Sequence, residues 1–434
     1  MPTDLQQFID DATVIDTHEH MRPEDQWVHE GPNDVLQSLF ENYVTADLVS
    51  AGASSEATER LVRGDDPDVE GRWKAVESAW HAIRHTGYAQ GVSLVARHVY
   101  GIDEITPQAL RDAQPKLDAL RQPGERLRIL RDLAGLDHIQ TDNGMRTNGP
   151  DAAGPEFFLH DISWLGFTYR GVDWDLLERE TGVTVRNLET LREAFEAVFE
   201  RYGPCAIAVK TQHAYVRTLR WEKREDADAE RALQVMLRSI DDVDEQTRLC
   251  IGDWCLARGI ELAGRHGLPV KIHTGYYAGN GYMEVDRIRA GHLCPLLIEY
   301  PETRFVLMHI AYPYCEELIS LAKHFPNVWA DMCWAWSINP AASVDFVRRF
   351  IHAAPATKLF AFGGDTFWPT SSYAYALQMR RYLGRALEAE VTAGEIGEPE
   401  AIDLARRFLF DNQAACFDIE STRAAILEAA AHHA

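Results

Sequence analysis

Three side chains that could bind a metal ion or carry a proton stand side by side near the start of the chain. His18, Glu19 and His20 follow residues 14–17 (VIDT), which are typical of the end of a buried strand. Side chains alternate along a strand, so both histidines project to one side and Glu19 to the other. Two imidazoles on one side can bind a divalent ion such as zinc. An isolated pair of this kind is also common among surface and core histidines, so the pair alone does not establish a metal site. The rest of the chain has to supply further ligands.

Four further residues of this kind end later apolar runs: Lys210 in CAIAVK, His273 in PVKIH, His309 in FVLMH and Asp365 in KLFAFGGD. Each has a plainer interpretation, such as a core histidine, a turn aspartate or a lysine in an ion pair. Those interpretations do not explain why all four fall at strand ends in chain order. Together the residues predict a site for a divalent metal ion, with Zn²⁺ as the first choice and Mn²⁺ or Fe²⁺ as alternatives.

The elements that would position these residues are eight buried strands separated by helices. We predict helices at 226–242, 246–266 and 315–325, among others. Such alternation is typical of an α/β protein with a (β/α)₈ TIM barrel, whose catalytic groups gather at the carboxyl ends of the strands. The predicted strands are 13–17, 138–142, 156–161, 205–210, 269–273, 305–309, 327–331 and 358–365.

One segment interrupts the alternation. Residues 22–134 show no clear barrel strand and have the character of a helical insertion after the first strand, which we expect to lie over the mouth of the barrel. Residues 370–430 are predicted to be helical and to pack the last helix against the barrel. We therefore expect residues 1–434 to form a single domain.

The bulk composition restricts the class of partner. Apolar residues make up 46% of the 434 residues and charged residues 25%, as in a globular protein. A formal charge of −24, from 67 acidic against 43 basic residues, argues against nucleic acid or an anionic membrane surface as the main partner. We expect a small-molecule substrate. The seven cysteines form no CxxC pair, and neither a leader nor a membrane-spanning run is visible, so we expect a cytoplasmic protein. The composition is compatible with a homo-oligomer and does not determine the oligomeric state.

The motifs resemble the amidohydrolase superfamily, and within it the amidohydrolase-2 group that includes the N-terminal domains of nodulin/FluG-like proteins fused to glutamine synthetase. The segments that carry the resemblance are VIDTHEH, VKTQHAYVRTL, KIHTGYY, FVLMHIAYPYCEELISLAKHFPNVWADMCW and KLFAFGGDTFWP.

The resemblance implies a role for each of the six residues. His18, His20 and Asp365 would hold a buried metal ion, and His273 and His309 a second, more exposed ion. Lys210 would be carboxylated and bridge both ions. The alternative is a single ion with an unmodified Lys210 near the substrate. Glu19, which points away from its neighbours, would have a supporting or structural role.

Hydrolysis of an amide, lactone or other carboxylic ester bond is the chemistry that we predict. A bound divalent ion lowers the pKa of its water and polarises a carbonyl, and Asp365 would act as general acid and base, with Lys210 as the second catalytic residue. The alternatives are a nonhydrolytic decarboxylase of a small carboxylic acid that uses one metal ion, or an isomerase. A barrel that serves only as a binding or scaffold domain is a third interpretation.

Residues just after the strand ends are candidates for substrate contact. Arg217 could bind a carboxylate through two hydrogen bonds, or could belong to a structural ion pair. The aromatic residues could line the mouth, or could pack against the insertion. The candidates are Arg217, Tyr215, Tyr276, Tyr277, Trp334, Trp336 and Trp368.

Overall fold

Eight parallel strands follow one another around a barrel in the computed structural model of the chain, which describes residues 3–142, 151–170, 172–239, 243–279 and 281–433. Every neighbouring pair from the first strand to the eighth is parallel, as predicted. The strands are β1 (Val14–Glu19), β2 (Leu136–Thr141), β3 (Phe158–Ser163), β4 (Ala206–Thr211), β5 (Val270–His273), β6 (Phe305–Met308), β7 (Val328–Asp331) and β8 (Leu359–Phe360).

The barrel closes where the chain after β8 meets β1. Backbone hydrogen bonds run from Thr17 N to Phe362 O (3.0 Å), from Asp365 N to His18 O (2.9 Å) and from His20 N to Thr366 O (2.9 Å). The predicted last strand, 358–365, is therefore too long as a regular strand, although its backbone still pairs with β1. Gly364 makes this close approach possible, because a Cβ atom there would lie 2.1 Å from Oε1 of Glu19.

Other strand limits also differ from the predictions, and β2 begins at Leu136, two residues earlier than predicted. β1 continues to Glu19, so His18 lies inside the strand rather than after it. β3 begins two residues later than predicted, because the backbone N–H groups of Phe157 and Phe158 turn back to the carbonyl of Gly154 at 2.9 and 3.1 Å. Phe157 therefore belongs to a turn, and the strand begins only at Phe158.

The segment between β1 and β2 is helical, as predicted. Its α-helices are short because polar residues start new ones repeatedly: Asp34, Ser54, Asp68, Thr86 and Thr106 each accept a backbone N–H through the side chain. The α-helices are Glu24–Glu30, Val35–Phe40, Val44–Ser50, Ser55–Leu61, Val69–Lys74, Glu77–Ile83, Gly87–Val95, Pro107–Asp112, Gln114–Leu120 and Glu125–Leu127, with π-helical turns at Ala96–Tyr100 and Arg128–Leu133.

The remaining helices surround the barrel. One helix, Asp4–Asp11, precedes β1. The helices between strands are Trp174–Thr181, Leu188–Tyr202, Asp226–Met236, Glu245–Arg265, Cys294–Glu299, Cys315–His324, Ala335–Ile338 and Pro340–Ala353. Those after β8 are Pro369–Ala393, Glu398–Arg406, Asn412–Cys416 and Ile419–His433. Among the described residues, no helix is both long and apolar enough to cross a bilayer.

The C-terminal segment contributes to the core of the barrel. Phe417 is buried against Phe360 of β8, with ring centroids 5.7 Å apart, in a cluster that also contains Ile15, Leu159 and Val306. Ile419 and Ile426 of the last helix belong to the same cluster. The predicted packing of the last helix against the barrel is therefore observed.

Candidate metal centre

His18 in β1, His20 directly after β1 and the aspartate that follows β8 meet at the carboxyl end of the barrel. Nε2 of His20 lies 3.2 Å from Oδ1 of Asp365, and Nε2 of His18 lies 3.5 Å from the same oxygen. His18 and Asp365 are buried, and one ligand atom from each of the three residues lies within 4.8 Å of the others. Strand alternation predicts the convergence of the two histidines, and barrel closure adds the aspartate.

Backbone carbonyls determine which ring nitrogen points into the site. Nδ1 of His309 donates to the carbonyl of Cys333 at 2.8 Å, and Nδ1 of His20 donates to the carbonyl of Asp142. These bonds leave Nε2 of each ring facing the centre, where a neutral ring can offer its lone pair to a cation. Nε2 of His309 lies 3.8 Å from Oδ2 of Asp365 and has no hydrogen-bond partner among the described residues. Histidines oriented by carbonyls around a carboxylate fit a divalent cation.

The electrostatics of the site agree with this interpretation. Burial lowers the pKa of His18, of His273 and of His309, the last to about 4, so these rings are neutral as metal ligands must be. Burial alone would raise the pKa of Asp365, but the hydrogen bonds of His18 and His20 outweigh burial and hold that pKa well below its usual value. Burial alone would lower the pKa of His20, but its hydrogen bond to Asp365 and the charge of that carboxylate outweigh burial, so the pKa of His20 is raised.

A cavity of about 110 Å³ opens at the centre, and His273 and Lys210 line it together with the first three ligands. Its lining residues are His18, His20, Leu165, Lys210, Gln212, Tyr215, Val216, His273 and Asp365. The His273 ring centroid is 4.2 Å from that of His309, and Nε2 of His273 donates to the carbonyl of Tyr276 at 3.0 Å, which leaves Nδ1 for a ligand. Lys210 is buried and donates to Oε1 of Gln212 at 3.1 Å. The six predicted ligands thus lie around one centre.

Strained backbone marks the strand ends that carry the site. His309, Ile310, Ala311, Trp334 and Asp365 are non-glycine residues with φ between +48° and +64°. Such conformations cost free energy and persist where the surrounding structure imposes them, as at functional sites. Here they turn the chain after β6, β7 and β8, so that the side chains of His309 and Asp365 face each other.

Glu19 supports the site from the opposite side of β1. Oε2 of its carboxylate accepts hydrogen bonds from the backbone N–H of Thr366 at 2.5 Å and from the hydroxyl of Thr366 at 2.9 Å. Thr366 is the neighbour of Asp365, so Glu19 fixes the loop that presents the aspartate. Burial, followed by the charge of Asp16, raises the pKa of Glu19 well above its usual value.

Four of the predicted aromatic residues surround the centre. The ring of Tyr215 lies 4.8 Å from that of His273, and the ring of Tyr277 lies 4.9 Å from that of Tyr215. Trp334 stands edge-on to His309 at 5.5 Å, and Tyr276 lies 6.1 Å from Trp334. The distances are between ring centroids, and Tyr215 is the one of these four residues that lines the cavity itself.

The other three substrate candidates lie elsewhere. Arg217 is buried, donates to Oδ1 of Asp253 at 2.5 Å and also bonds backbone carbonyls, which agrees with the structural ion pair rather than with substrate binding. Trp336 donates to the carbonyl of Ala361 at 2.7 Å, a structural contact. Trp368 donates to Glu41 at 3.1 Å and lines a neighbouring cavity of about 340 Å³.

Two residues at the centre could not be found from the sequence. The hydroxyl of Tyr43, from the helical insertion, lies 3.4 Å from Oδ1 of Asp365, where it donates a hydrogen bond. The ring of Phe367 stacks on His20 at 5.5 Å. Tyr43 is separated from Asp365 by 322 positions and belongs to no motif, so only the tertiary structure brings it to the site.

Comparisons with solved structures show the same fold. A uronate isomerase from Thermotoga maritima superimposes with a TM-score of 0.76 at 14% identity, over 95% of this chain and 96% of its own. A glucuronate isomerase from Caulobacter crescentus superimposes with a TM-score of 0.75 at 17% identity, over 96% of this chain and 95% of its own. A protein from Lactobacillus casei described as a metal-dependent hydrolase superimposes with a TM-score of 0.67 at 14% identity, over 96% of this chain and 98% of its own.

Sequence comparisons give the family. Protein fluG of Emericella nidulans is 25% identical over 247 residues, which are 53% of this chain but only 28% of fluG. The family model Amidohydro_2, described as amidohydrolase, matches residues 175–395, a range that contains Lys210, His273, His309 and Asp365. That range is half of the chain, and the resemblance inferred from the motifs is confirmed. The chain belongs to the amidohydrolase family.

Proposed function

We propose that this protein is a metal-dependent hydrolase that cleaves an amide, lactone or other carboxylic ester bond of a small molecule. The observation that carries the proposal is the convergence of His18, His20 and His309 on the two oxygens of Asp365 at the carboxyl end of the barrel. Membership of the amidohydrolase family supports hydrolysis as the reaction type.

The residues around Asp365 define how the reaction would proceed. A bound divalent ion, most simply Zn²⁺, would supply a water of lowered pKa and polarise the scissile carbonyl. His18, His20 and Asp365 would hold it, and Lys210, His273 and His309 lie where a second ion could be held. The low pKa of Asp365 keeps its carboxylate ionised, so it can accept a proton from the attacking water and pass it to the leaving group.

The surroundings of the centre favour a small substrate. The cavity beside Lys210 and His273 has a volume of only about 110 Å³, the ring of Tyr215 packs on His273, and the ring of Trp334 packs on His309 nearby. Such walls limit access of bulk water and strengthen the electrostatic interactions inside. Carboxylation of Lys210 is one way in which this site could hold a second ion, and a single ion with an unmodified Lys210 is the alternative.

The first test replaces Asp365 by Asn. We expect the variant to keep most of its metal and to lose turnover by about 10²–10⁴-fold, because an amide cannot shuttle the proton. Metal content would be measured by mass spectrometry, and turnover on a panel of N-acyl amino acids, γ-glutamyl amides and lactones. Asp345→Asn, on an exposed helix face, is the matched control. Unchanged turnover in Asp365→Asn would remove the assigned role.

Isomerisation of a small carboxylic acid is the second candidate. Two of the structures that share the fold over nearly the whole chain are uronate and glucuronate isomerases. Adding uronates and aromatic acids to the substrate panel separates the possibilities. Turnover of a uronate without turnover of any amide or ester would favour isomerisation, and release of carbon dioxide from an acid would favour decarboxylation.

A further inference from the structure

A second group of possible metal ligands shares Asp365 with the first. One ligand atom from each of His309, Cys333 and Asp365 lies within 4.8 Å of the others, and all three residues are buried. They come from three successive strand ends, those of β6, β7 and β8. Among the described residues, this group and the group of His18, His20 and Asp365 are the two that bring three such ligands together.

The two oxygens of Asp365 face different groups. Oδ1 lies 3.5 and 3.2 Å from Nε2 of His18 and of His20, whereas Oδ2 lies 3.8 Å from Nε2 of His309. A carboxylate in this position can bind one cation through each oxygen. In sites with two metal ions, the ions lie about 3.5–4 Å apart, a separation that a bridging carboxylate can span.

The thiol of Cys333 has a defined place in this arrangement. Gly363 leaves the space for it, since a Cβ atom there would lie 2.7 Å from Sγ of Cys333. The carbonyl of Cys333 accepts the Nδ1 hydrogen of His309, so the same residue aims the histidine and brings sulfur next to it. The left-handed φ of +60° at Trp334 turns the chain directly after the cysteine.

Other cysteines do not share these surroundings. All seven are free of disulfides, and Cys255 and Cys416 are as fully buried as Cys333. Neither lies in a group of histidine and carboxylate ligands within the described part of the chain. Burial alone therefore does not explain the position of Cys333 beside His309 and Asp365, and Cys255 provides a matched control.

We propose that Cys333 is a sulfur ligand of a second metal ion, held together with His309 and the Oδ2 oxygen of Asp365. The inference rests on the proposed metal dependence. On binding, the thiol releases its proton to solvent as the sulfur–metal bond forms, so the thiolate ligand supplies one negative charge. Thiolate is a soft ligand, so the site favours Zn²⁺, Co²⁺ or Cd²⁺ over Mg²⁺ and Mn²⁺. Such a site holds its second ion without a carboxylated Lys210.

Cobalt substitution of the full chain tests the sulfur ligand directly. A cobalt–thiolate bond gives an intense charge-transfer absorption in the near ultraviolet that nitrogen and oxygen ligands do not give. We expect this band in the wild-type protein loaded with Co²⁺ and its loss in Cys333→Ser, while Cys255→Ser retains it. We also expect Cd²⁺ affinity to fall by at least about tenfold in Cys333→Ser, by analogy with losses at metal sites.

The outcomes separate the two proposals. Cobalt bound to the wild-type protein without the band overturns the sulfur ligand, and so does a band that survives in Cys333→Ser. In both cases hydrolysis by a metal site without sulfur still stands. A protein that binds no divalent ion at all overturns the metal dependence as well. If Cys333→Ser fails to fold, absence of the band from the wild-type spectrum still overturns the sulfur ligand. If the wild-type protein shows the band, Cys333→Ala then tests whether Cys333 produces it.

Discussion

At the scale of single residues, hydrogen bonds to backbone carbonyls decide how the histidines can act. His20 and His309 use Nδ1 for such bonds, which leaves Nε2 for the centre, whereas His273 uses Nε2 and leaves Nδ1. The residue type alone does not reveal this difference. It follows from which carbonyl lies beside each ring, and it determines the direction from which each ring can reach a cation.

The contact of Tyr43 with Asp365 gives a prediction at this scale. Tyr43→Phe removes a hydrogen bond to a carboxylate, a contact worth about 1.5–3 kcal/mol, and the long distance of 3.4 Å favours the lower limit. We expect kcat/KM to fall by about tenfold and the acidic limb of its pH profile to shift upward, because Asp365 loses a donor that stabilises its ionised form. Steady-state kinetics as a function of pH measures both.

Tyr88→Phe is the matched control for Tyr43→Phe. Its ring packs on Trp334 at 5.8 Å between centroids, and its hydroxyl is buried without a hydrogen-bond partner among the described residues. Removing that hydroxyl should leave the pH profile unchanged. A Tyr43→Phe variant that behaves like Tyr88→Phe would show that the hydroxyl of Tyr43 has no part in positioning Asp365.

At the scale of the elements, the junction between β1 and the chain after β8 organises the centre. β1 carries His18 on one side and Glu19 on the other, His20 follows directly, and the loop after β8 carries Asp365. The backbone bonds between them hold the histidines and the aspartate in register. The helical insertion adds Tyr43 from outside the barrel, so the element that interrupts the alternating pattern also reaches the centre.

Glu19 provides the prediction for this junction. Glu19→Ala removes the acceptor of both Thr366 hydrogen bonds, so the loop of Asp365 loosens and metal affinity should fall by about 10–100-fold. Competition with a chelator measures the affinity. Glu19→Gln keeps an oxygen that can accept both bonds and should retain most of the affinity. Equal losses in both variants would point to the charge of Glu19 instead of its hydrogen bonds.

At the scale of the whole molecule, a buried ion pair joins alternate strands across the barrel beneath the centre. Nζ of Lys271 in β5 donates to both oxygens of Asp161 in β3 at 2.9 Å and to the carbonyl of Thr17 in β1 at 2.7 Å. Both side chains are fully buried. Interior layers of such barrels draw their side chains from alternate strands, and here one layer is ionic.

Breaking this pair should destabilise the whole fold. Lys271→Met leaves Asp161 buried and unpaired, and we expect the free energy of unfolding to fall by about 3–5 kcal/mol in denaturant titrations. The double variant Lys271→Met with Asp161→Leu removes both charges and should recover much of the loss. Lys74→Met, at an exposed pair with Glu70, should leave stability unchanged. A single variant as stable as the wild type would contradict a structural role for the pair.

The sequence by itself determined the barrel and most of the centre. Buried strands are apolar runs with a polar residue at the end, and barrel geometry brings those ends together, so His18, His20, His273, His309 and Asp365 could be predicted from local pattern. The ion pair of Arg217 with Asp253, the contact of Tyr43 with Asp365 and the place of Cys333 beside His309 were decided only by the tertiary structure. These depend on side-chain directions and on contacts between distant segments, and neither leaves a periodic signal in the chain.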